Sequence, residues 1–293
     1  MKICFVIPAY NDEDSLRKLI KDIKFELKNF TLHFIVIDDC SNDNFESLKN
    51  SSKINLITLI KNCGSQKAIS IGLNYILDEE INFDYLVVMD SDGEDKPEYL
   101  NLLIDQVANS DGNFIAVASR EKRQETFMFR FFYLMYRFVF VVLTGRNINF
   151  GNFSCIPKKL LKNIVNSSYI DFHYSAAIIK SKQAYKAVPC DKGLRYMGQS
   201  KMSFSNLFFH ALKSLSIFYK EIFIRFLKIF LIANCIILLN FNFGSVIMLN
   251  LIILAPVSVF LIYSYILINK KSNKVNFLNS LNYSRLIKNV RFL

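Results

Sequence analysis

The sequence predicts an α/β fold on a mostly parallel sheet, and three observations lead there. Short, continuous apolar runs alternate with amphipathic helical segments through the first hundred residues. The runs lack the alternation of a half-solvated strand, so both of their faces are covered. Three of them end in polar clusters, as strands do where an open parallel sheet binds its ligand.

Residues 3–7 form the first strand and run into Pro8-Ala9-Tyr10-Asn11; residues 12–27 form the first helix. Residues 34–37 are a second strand closed by Asp38-Asp39, and 54–59 a third. Residues 66–77 are helical, and 85–89 a fourth strand that stops at Asp90-Ser91-Asp92, before a helix near 96–107. No internal repeat or low-complexity tract interrupts the chain.

The 293 residues suffice for a large core and one or two domains. A 52% hydrophobic content is high for a soluble chain and implies that part of it meets lipid. The formal charge of +11 suits nucleic acid, anionic lipid or phosphorylated substrates. Six scattered cysteines without CxxC spacing argue against zinc or a disulfide framework and for reduced thiols in a cytosolic domain. The N-terminus enters a strand pattern directly, without the apolar region and cleavage site of a signal peptide.

The C-terminal part differs. Residues 229–269 contain 41 positions without a charge, about 62 Å as continuous helix, enough for two crossings of a bilayer core. A turn at 240–245 divides them into a transmembrane hairpin, 223–241 and 246–268. Arg225 and Lys228 lie near the start of the first span and would snorkel. Lys213, Lys220, Arg225 and Lys228 precede the pair; Lys270, Lys271 and Lys274 follow it, which puts both ends in the cytoplasm. Residues 127–143 are apolar with Arg130 and Arg137 on one face, the pattern of a helix lying in the membrane interface; 203–219 is a second such segment. An ordinary core helix is the competing reading of both. The resulting plan is a catalytic domain at 1–202, a juxtamembrane helix at 203–221, the hairpin at 222–269 and a basic cytoplasmic tail at 270–293.

Four carboxylates crowd into "DSDGED" at the end of the fourth strand. In an extended segment Asp90, Asp92 and Glu94 project the same way. Oxygen ligands suit Mg²⁺ or Mn²⁺, which take one or two carboxylates and complete their shell with water and substrate phosphates. A solvated acidic turn, with Asp90 capping the next helix, explains the same residues. Placement beside Asp38-Asp39 in a basic chain favours the metal.

"FVIPAYNDEDSL", "FIVIDDCSND", "NCGSQKAISIGL" and "VVMDSDGEDKPE" resemble successive motifs of the family 2 glycosyltransferases with a GT-A fold. "SREKR", "GNFSCIPKKLL" and "LRYMGQSKMSF", with two apolar spans behind them, are similar to the polyprenyl-phosphate, dolichol-phosphate mannosyltransferase-like group. The resemblance covers residues 1–268. It implies that Pro8, Tyr10 and Asp39 hold the nucleoside, with Asp12 or its neighbour Glu13 beside them. It assigns Asp90, Asp92 and Glu94 to the metal and diphosphate; Glu94 stands where the family pattern has Gln. Arg120 and Arg123, with Arg130 as a further candidate, face phosphates and lipid. Arg195, Gly198, Ser200 and Lys201 match the Arg-x-x-Gly-x-Ser-Lys motif.

The expected reaction is inverting transfer of a hexose-type sugar from a nucleotide sugar, a UDP-sugar before a GDP-sugar, to polyprenyl phosphate. Asp92, with the metal, would serve the diphosphate leaving group, and the cationic side chains of Arg120, Arg123 and Arg195 would stabilise its charge or dock the acceptor phosphate. A phosphate acceptor is already anionic and needs no strong base, in keeping with Asn152 where many relatives carry Asp. The enzyme would sit in the cell membrane, with nucleotide sugar, lipid and membrane as partners and a homo-oligomer left open. Two rivals remain: a membrane-attached transferase acting on a sugar hydroxyl in surface polysaccharide assembly, with Asp171 as base, and a non-catalytic scaffold, which the intact Asp90/Asp92 pair disfavours. Nucleic acid explains the charge but not the hairpin. The histidines lack ligand spacing.

Overall fold

The structure, a computed structural model, describes residues 1–48, 53–119, 127–166, 169–198, 204–240, 250, 254–255, 257–266, 268 and 281–293. The chain divides into two compact units. One comprises Met1–Thr126, Asn149–Met202 and Leu278–Leu293; the other comprises Phe127–Ile148 and Ser203–Phe277.

The first unit is an eight-stranded sheet flanked by helices. Its strands are β1 (Lys2–Ala9), β2 (Thr31–Asp38), β3 (Ile54–Leu59), β4 (Tyr85–Val88), β5 (Ile115–Ser119), β6 (Phe150–Pro157), β7 (Tyr185–Pro189) and β8 (Ile287–Phe292), in the order β7-β5-β6-β4-β1-β2-β3-β8. β1 pairs in parallel with β2 and β4, and β2 with β3. Ile3, Phe5 and Ile7 on one face of β1 and Cys4 and Val6 on the other are all buried, which is why the strand reads as an unbroken apolar run. Phe5 and Phe34 lie opposite each other across β1 and β2, with ring centroids 5.1 Å apart.

Helices α1 (Glu13–Glu26), α2 (Ser65–Asp78), α3 (Leu100–Ala108), α5 (Lys158–Val165) and α6 (Tyr174–Lys180) belong to this unit; α4 (Phe127–Thr144) is in the other. α1 buries Leu16, Leu19, Ile20 and Ile23, one stripe at helical spacing. α2 approaches the sheet closely through Gly72, where a Cβ would come within 2.6 Å of Ile37 and 2.9 Å of Val6.

The parallel α/β expectation holds for β1 to β4. Two strands depart from it. β6 runs antiparallel between β4 and β5, so its first residues lie at the carboxyl end of β4. β8 pairs antiparallel with β3, so the end of the segment read as a basic tail is an edge strand. It caps the open hydrogen-bonding row of β3, and Lys288 and Arg291 give the new edge the charge that discourages further pairing.

The second unit contains α4 (Phe127–Thr144), α7 (Phe204–Ser216) and α8 (Tyr219–Asn240). Tyr136 and Ser214 share a hydrogen bond of 2.7 Å, and Phe140 meets Phe218 edge to face. Arg225, expected to snorkel, lies against the end of α4: its guanidinium donates to the Val142 carbonyl at 3.4 Å, the site where a cation answers free carbonyls. Among the described residues no helix is long and apolar enough to cross a membrane. Most of the expected turn and much of the second span fall outside the described residues.

Candidate functional site

The carboxyl ends of β1, β2 and β4 share one edge of the sheet, and β1 and β4 flank the point where strand order reverses, the usual ligand crevice of such sheets. Two loops brace each other there. The Asn11 amide donates to Ser41 Oγ, the Asn42 amide to Asn11 Oδ1, and the Ser41 amide to Asp38 Oδ1, each at 2.8 Å. Pro8 is the penultimate residue of β1, and Tyr10, just past its end, is 41% exposed.

Asp39 is buried and accepts the Cys63 and Gly64 amides, each at 2.7 Å. Burial raises its pKa; these two amides oppose the shift and the charge of Asp38 adds to it. Asp39 therefore ties β2 to the start of α2. The Asp12 and Glu13 alternatives separate cleanly. Asp12 Oδ2 accepts from Ser91 Oγ at 2.8 Å, inside the carboxylate turn. Glu13 accepts the Phe45 and Ser47 amides at 2.9 and 2.8 Å and serves the loop after β2.

The four carboxylates after β4 have different work. Asp95 is buried and accepts the Asp90 amide at 3.0 Å, closing the turn. Asp90 Oδ1 accepts from Asn152 Nδ2 at 3.0 Å; Asn152 in turn accepts from Gln66 Nε2 at 3.1 Å, and Gln66 Oε1 accepts the Tyr174 amide. Asp92 is buried, accepts the Glu94 amide at 2.9 Å and meets Arg195 Nη2 at 2.7 Å. Burial, then the charge of Asp90, pushes its carboxyl up to about 6 despite that arginine. Glu94 points elsewhere than the extended reading supposed: its oxygens pair with Lys192 Nζ at 2.5 Å and Arg195 Nε at 3.2 Å. Among the described residues no three carboxylate, imidazole or thiol groups gather as a metal cage. Beyond the turn after Asp92, Glu94 is engaged by Lys192 and Arg195, while Asp90 and Asp92 stand at the strand end.

Asp171 accepts from Lys67 Nζ at 2.6 Å and from Ser70 Oγ. His173 caps α6 through the Ala176 amide, and His33 meets Asn55. The described cysteines of this unit are free thiols. Arg120, Arg123, Ser200 and Lys201 lie outside the described residues; Arg130 lies on α4. Gln66 and Lys192 were not nominated as site residues from the sequence, although Gln66 lies in one quoted motif and Lys192 three positions before Arg195; Asn152 entered only as the residue standing where many relatives carry Asp.

A family model for glycosyl transferase family 2 matches residues 4–170. The undecaprenyl-phosphate 4-deoxy-4-formamido-L-arabinose transferase of Enterobacter sp. (strain 638) is 26% identical over 219 residues, 70% of this chain and 64% of that protein. The match thus spans less than two thirds of that relative's length. An uncharacterized glycosyltransferase of Synechocystis sp. is 26% identical over 223 residues, 72% of this chain and 68% of that one. Among solved structures, glucosyl-3-phosphoglycerate synthase from Mycobacterium tuberculosis, crystallised with Mn²⁺, UDP-glucose and phosphoglyceric acid, superposes with a TM-score of 0.53 at 15% identity, covering 75% of this chain and 79% of that one. That likeness supports the GT-A-like α/β fold.

Proposed function

This chain belongs to glycosyl transferase family 2, and from that premise we propose that it transfers a hexose-type sugar, with inversion, from a nucleotide-diphosphate sugar to polyprenyl phosphate at the cytoplasmic face of a membrane. The observation that carries the reading is the Asp90–Asp92 pair at the carboxyl end of β4, with Asp92 buried and its carboxyl pushed up to about 6. The carboxyl stays raised although Arg195 Nη2 lies 2.7 Å away, so one arginine does not offset burial and the charge of Asp90, and a divalent cation would add the further positive charge.

The residues present fit Mg²⁺ or Mn²⁺. Asp90 and Asp92 offer hard oxygen donors, and Mg²⁺ ordinarily takes one or two carboxylates with substrate phosphates filling its shell. Such a cation, when bound, neutralises charge on the departing diphosphate. The chain supplies the rest. Asn152 orients Asp90, Asp12 holds the turn through Ser91, and Arg195 and Lys192 bring positive charge to the edge. Tyr10 and Asp39 lie at the ends of β1 and β2, where a nucleoside would rest.

The name of the Enterobacter relative supports a polyprenyl phosphate acceptor. The second unit supports a lipid surface: Phe131, Leu134, Met135, Phe138 and Val142 form an exposed apolar stripe on α4. The transmembrane hairpin at 222–269 and a UDP-sugar donor are part of the proposal. The sugar-hydroxyl alternative needs a base. Asp171, its nominee, is engaged by Lys67 and Ser70, which favours the phosphate acceptor.

The test incubates membranes bearing the chain with polyprenyl phosphate and a panel of radiolabelled UDP- and GDP-sugars, with Mn²⁺ or Mg²⁺. A lipid-linked sugar that disappears with EDTA is expected. Transfer to a sugar hydroxyl with polyprenyl phosphate inert, or full activity after exhaustive chelation, would overturn the acceptor or the metal respectively.

A further inference from the structure

We propose that Glu94 is a positioning residue rather than a metal ligand: it latches Lys192 and Arg195 across the Asp90–Asp92 edge before donor binds, and Arg195 passes from this latch to the donor diphosphate. The second half of this statement rests on the function proposed above.

The geometry carries the latch. Glu94 spends one oxygen on Lys192 and the other on Arg195, and its side chain is 19% exposed. The same guanidinium reaches Asp92 Oδ2 through Nη2. Arg195 is thus shared between a carboxylate of the cation site and one that lies off it. Glutamine at position 94 could accept hydrogen bonds there but would not neutralise two cations. The family pattern's Gln→Glu departure gains its meaning from these two partners.

The loop at 191–196 is pinned independently of Arg195. The Gly193 amide donates to the Glu94 carbonyl at 2.8 Å and the Tyr196 amide to the Asp92 carbonyl at 2.9 Å. Tyr196 Oη donates to Asp22 at 2.7 Å. With a divalent cation on Asp92, Arg195 would give up that carboxylate, while Glu94 keeps Lys192 and the backbone bonds keep the loop. One arginine is freed at the place where diphosphate charge develops.

The test uses the full-length chain in detergent micelles and trypsin, which needs an extended, unpaired Lys or Arg side chain. Cleavage after Lys192 and Arg195 is followed by mass spectrometry. Without ligand, Glu94→Gln should speed both cuts about fivefold, the equivalent of a partly exposed ion pair. In the wild type, Mn²⁺ alone should speed the cut after Arg195 but not after Lys192, and UDP added with it should restore protection. Mn²⁺ affinity, read by electron paramagnetic resonance, should change less than about threefold in Glu94→Gln, and KM for the donor should rise more than kcat falls. Should Glu94→Gln fail to fold, Lys192→Met is expected to slow the Arg195 cut, because Glu94 then pairs with Arg195 alone; a faster cut would overturn the latch. Mn²⁺ affinity reduced tenfold or more, with unchanged cleavage rates, would make Glu94 a ligand and overturn the latch. A wild type that binds neither Mn²⁺ nor UDP would sink the proposed function, while the ligand-free comparison still decides the latch.

Discussion

Burial keeps Asp92 protonated into a range where an ordinary aspartate is already charged. The sign follows: the folded chain holds this proton more tightly than the unfolded one, so the Asp92 contribution to stability falls as pH rises from 3.8 to about 6. A cation reverses that loss. We predict that Mn²⁺ affinity weakens about tenfold per pH unit below 6, where one proton competes with the metal, and levels off above it; a flat titration between pH 5 and 7 would contradict it. Asp171 behaves differently. Its pairing with Lys67 and Ser70 makes it a brace between α2 and the segment before α6. Asp171→Asn should lower stability by about 1–3 kcal/mol in a denaturant titration, while turnover by the folded fraction stays within about tenfold of wild type. A drop of about 10²–10⁴, the range for a general base, would restore the sugar-hydroxyl reading. Asp90 and Asp92 were legible in the sequence, nominated by residue type and strand-end placement, and Arg195 only through its match to the Arg-x-x-Gly-x-Ser-Lys motif. The true partners of Glu94 were not: Lys192 and Arg195 lie about a hundred residues further on, and only the fold brings them near.

At the scale of elements, the carboxylate turn depends on Gly93. Its φ is +82°, and a Cβ there would lie 2.5 Å from the Tyr196 ring. Gly93→Ala should therefore cost about 2–3 kcal/mol and loosen the 191–196 loop, visible as a lower thermal midpoint together with faster hydrogen exchange at Tyr196. An unchanged midpoint would mean that the loop adapts. The strands that sequence patterning revealed, β1 to β4, are apolar runs covered by the fold; β5 is buried as well but lies beyond the first hundred residues over which the alternation was read. β6 was missed because Gly151, Asn152 and Ser154 dilute its pattern. β8 was missed because an exposed edge strand, IKNVRF, has the composition of a solvated tail. Local composition cannot report that β3 needed a partner.

On the scale of the whole molecule, the basic charge and the apolar C-terminal half belong to different requirements. Besides the exposed stripe on α4, the same unit exposes apolar residues of α8, among them Phe223, Ile224, Leu227 and Ile232. Release of the chain from membranes by salt alone, without detergent, would argue against their burial in lipid.

β8 adds a constraint of parity. Strands of one sheet fold in one aqueous compartment, and β8 is bonded to β3 residue by residue, from Asn55 opposite Phe292 to Leu59 opposite Ile287. Under the membrane reading proposed above, any crossing by residues 203–277 would therefore have to be a round trip, with an even number of passes. Maleimide labelling of single cysteines at position 288 and at position 46 should show both accessible from the same side of sealed vesicles. The constraint also sets an order of assembly. Because β8 lies beyond the apolar segment, the edge of β3 stays open until that segment has turned back, so closure of the sheet registers a completed return of the chain.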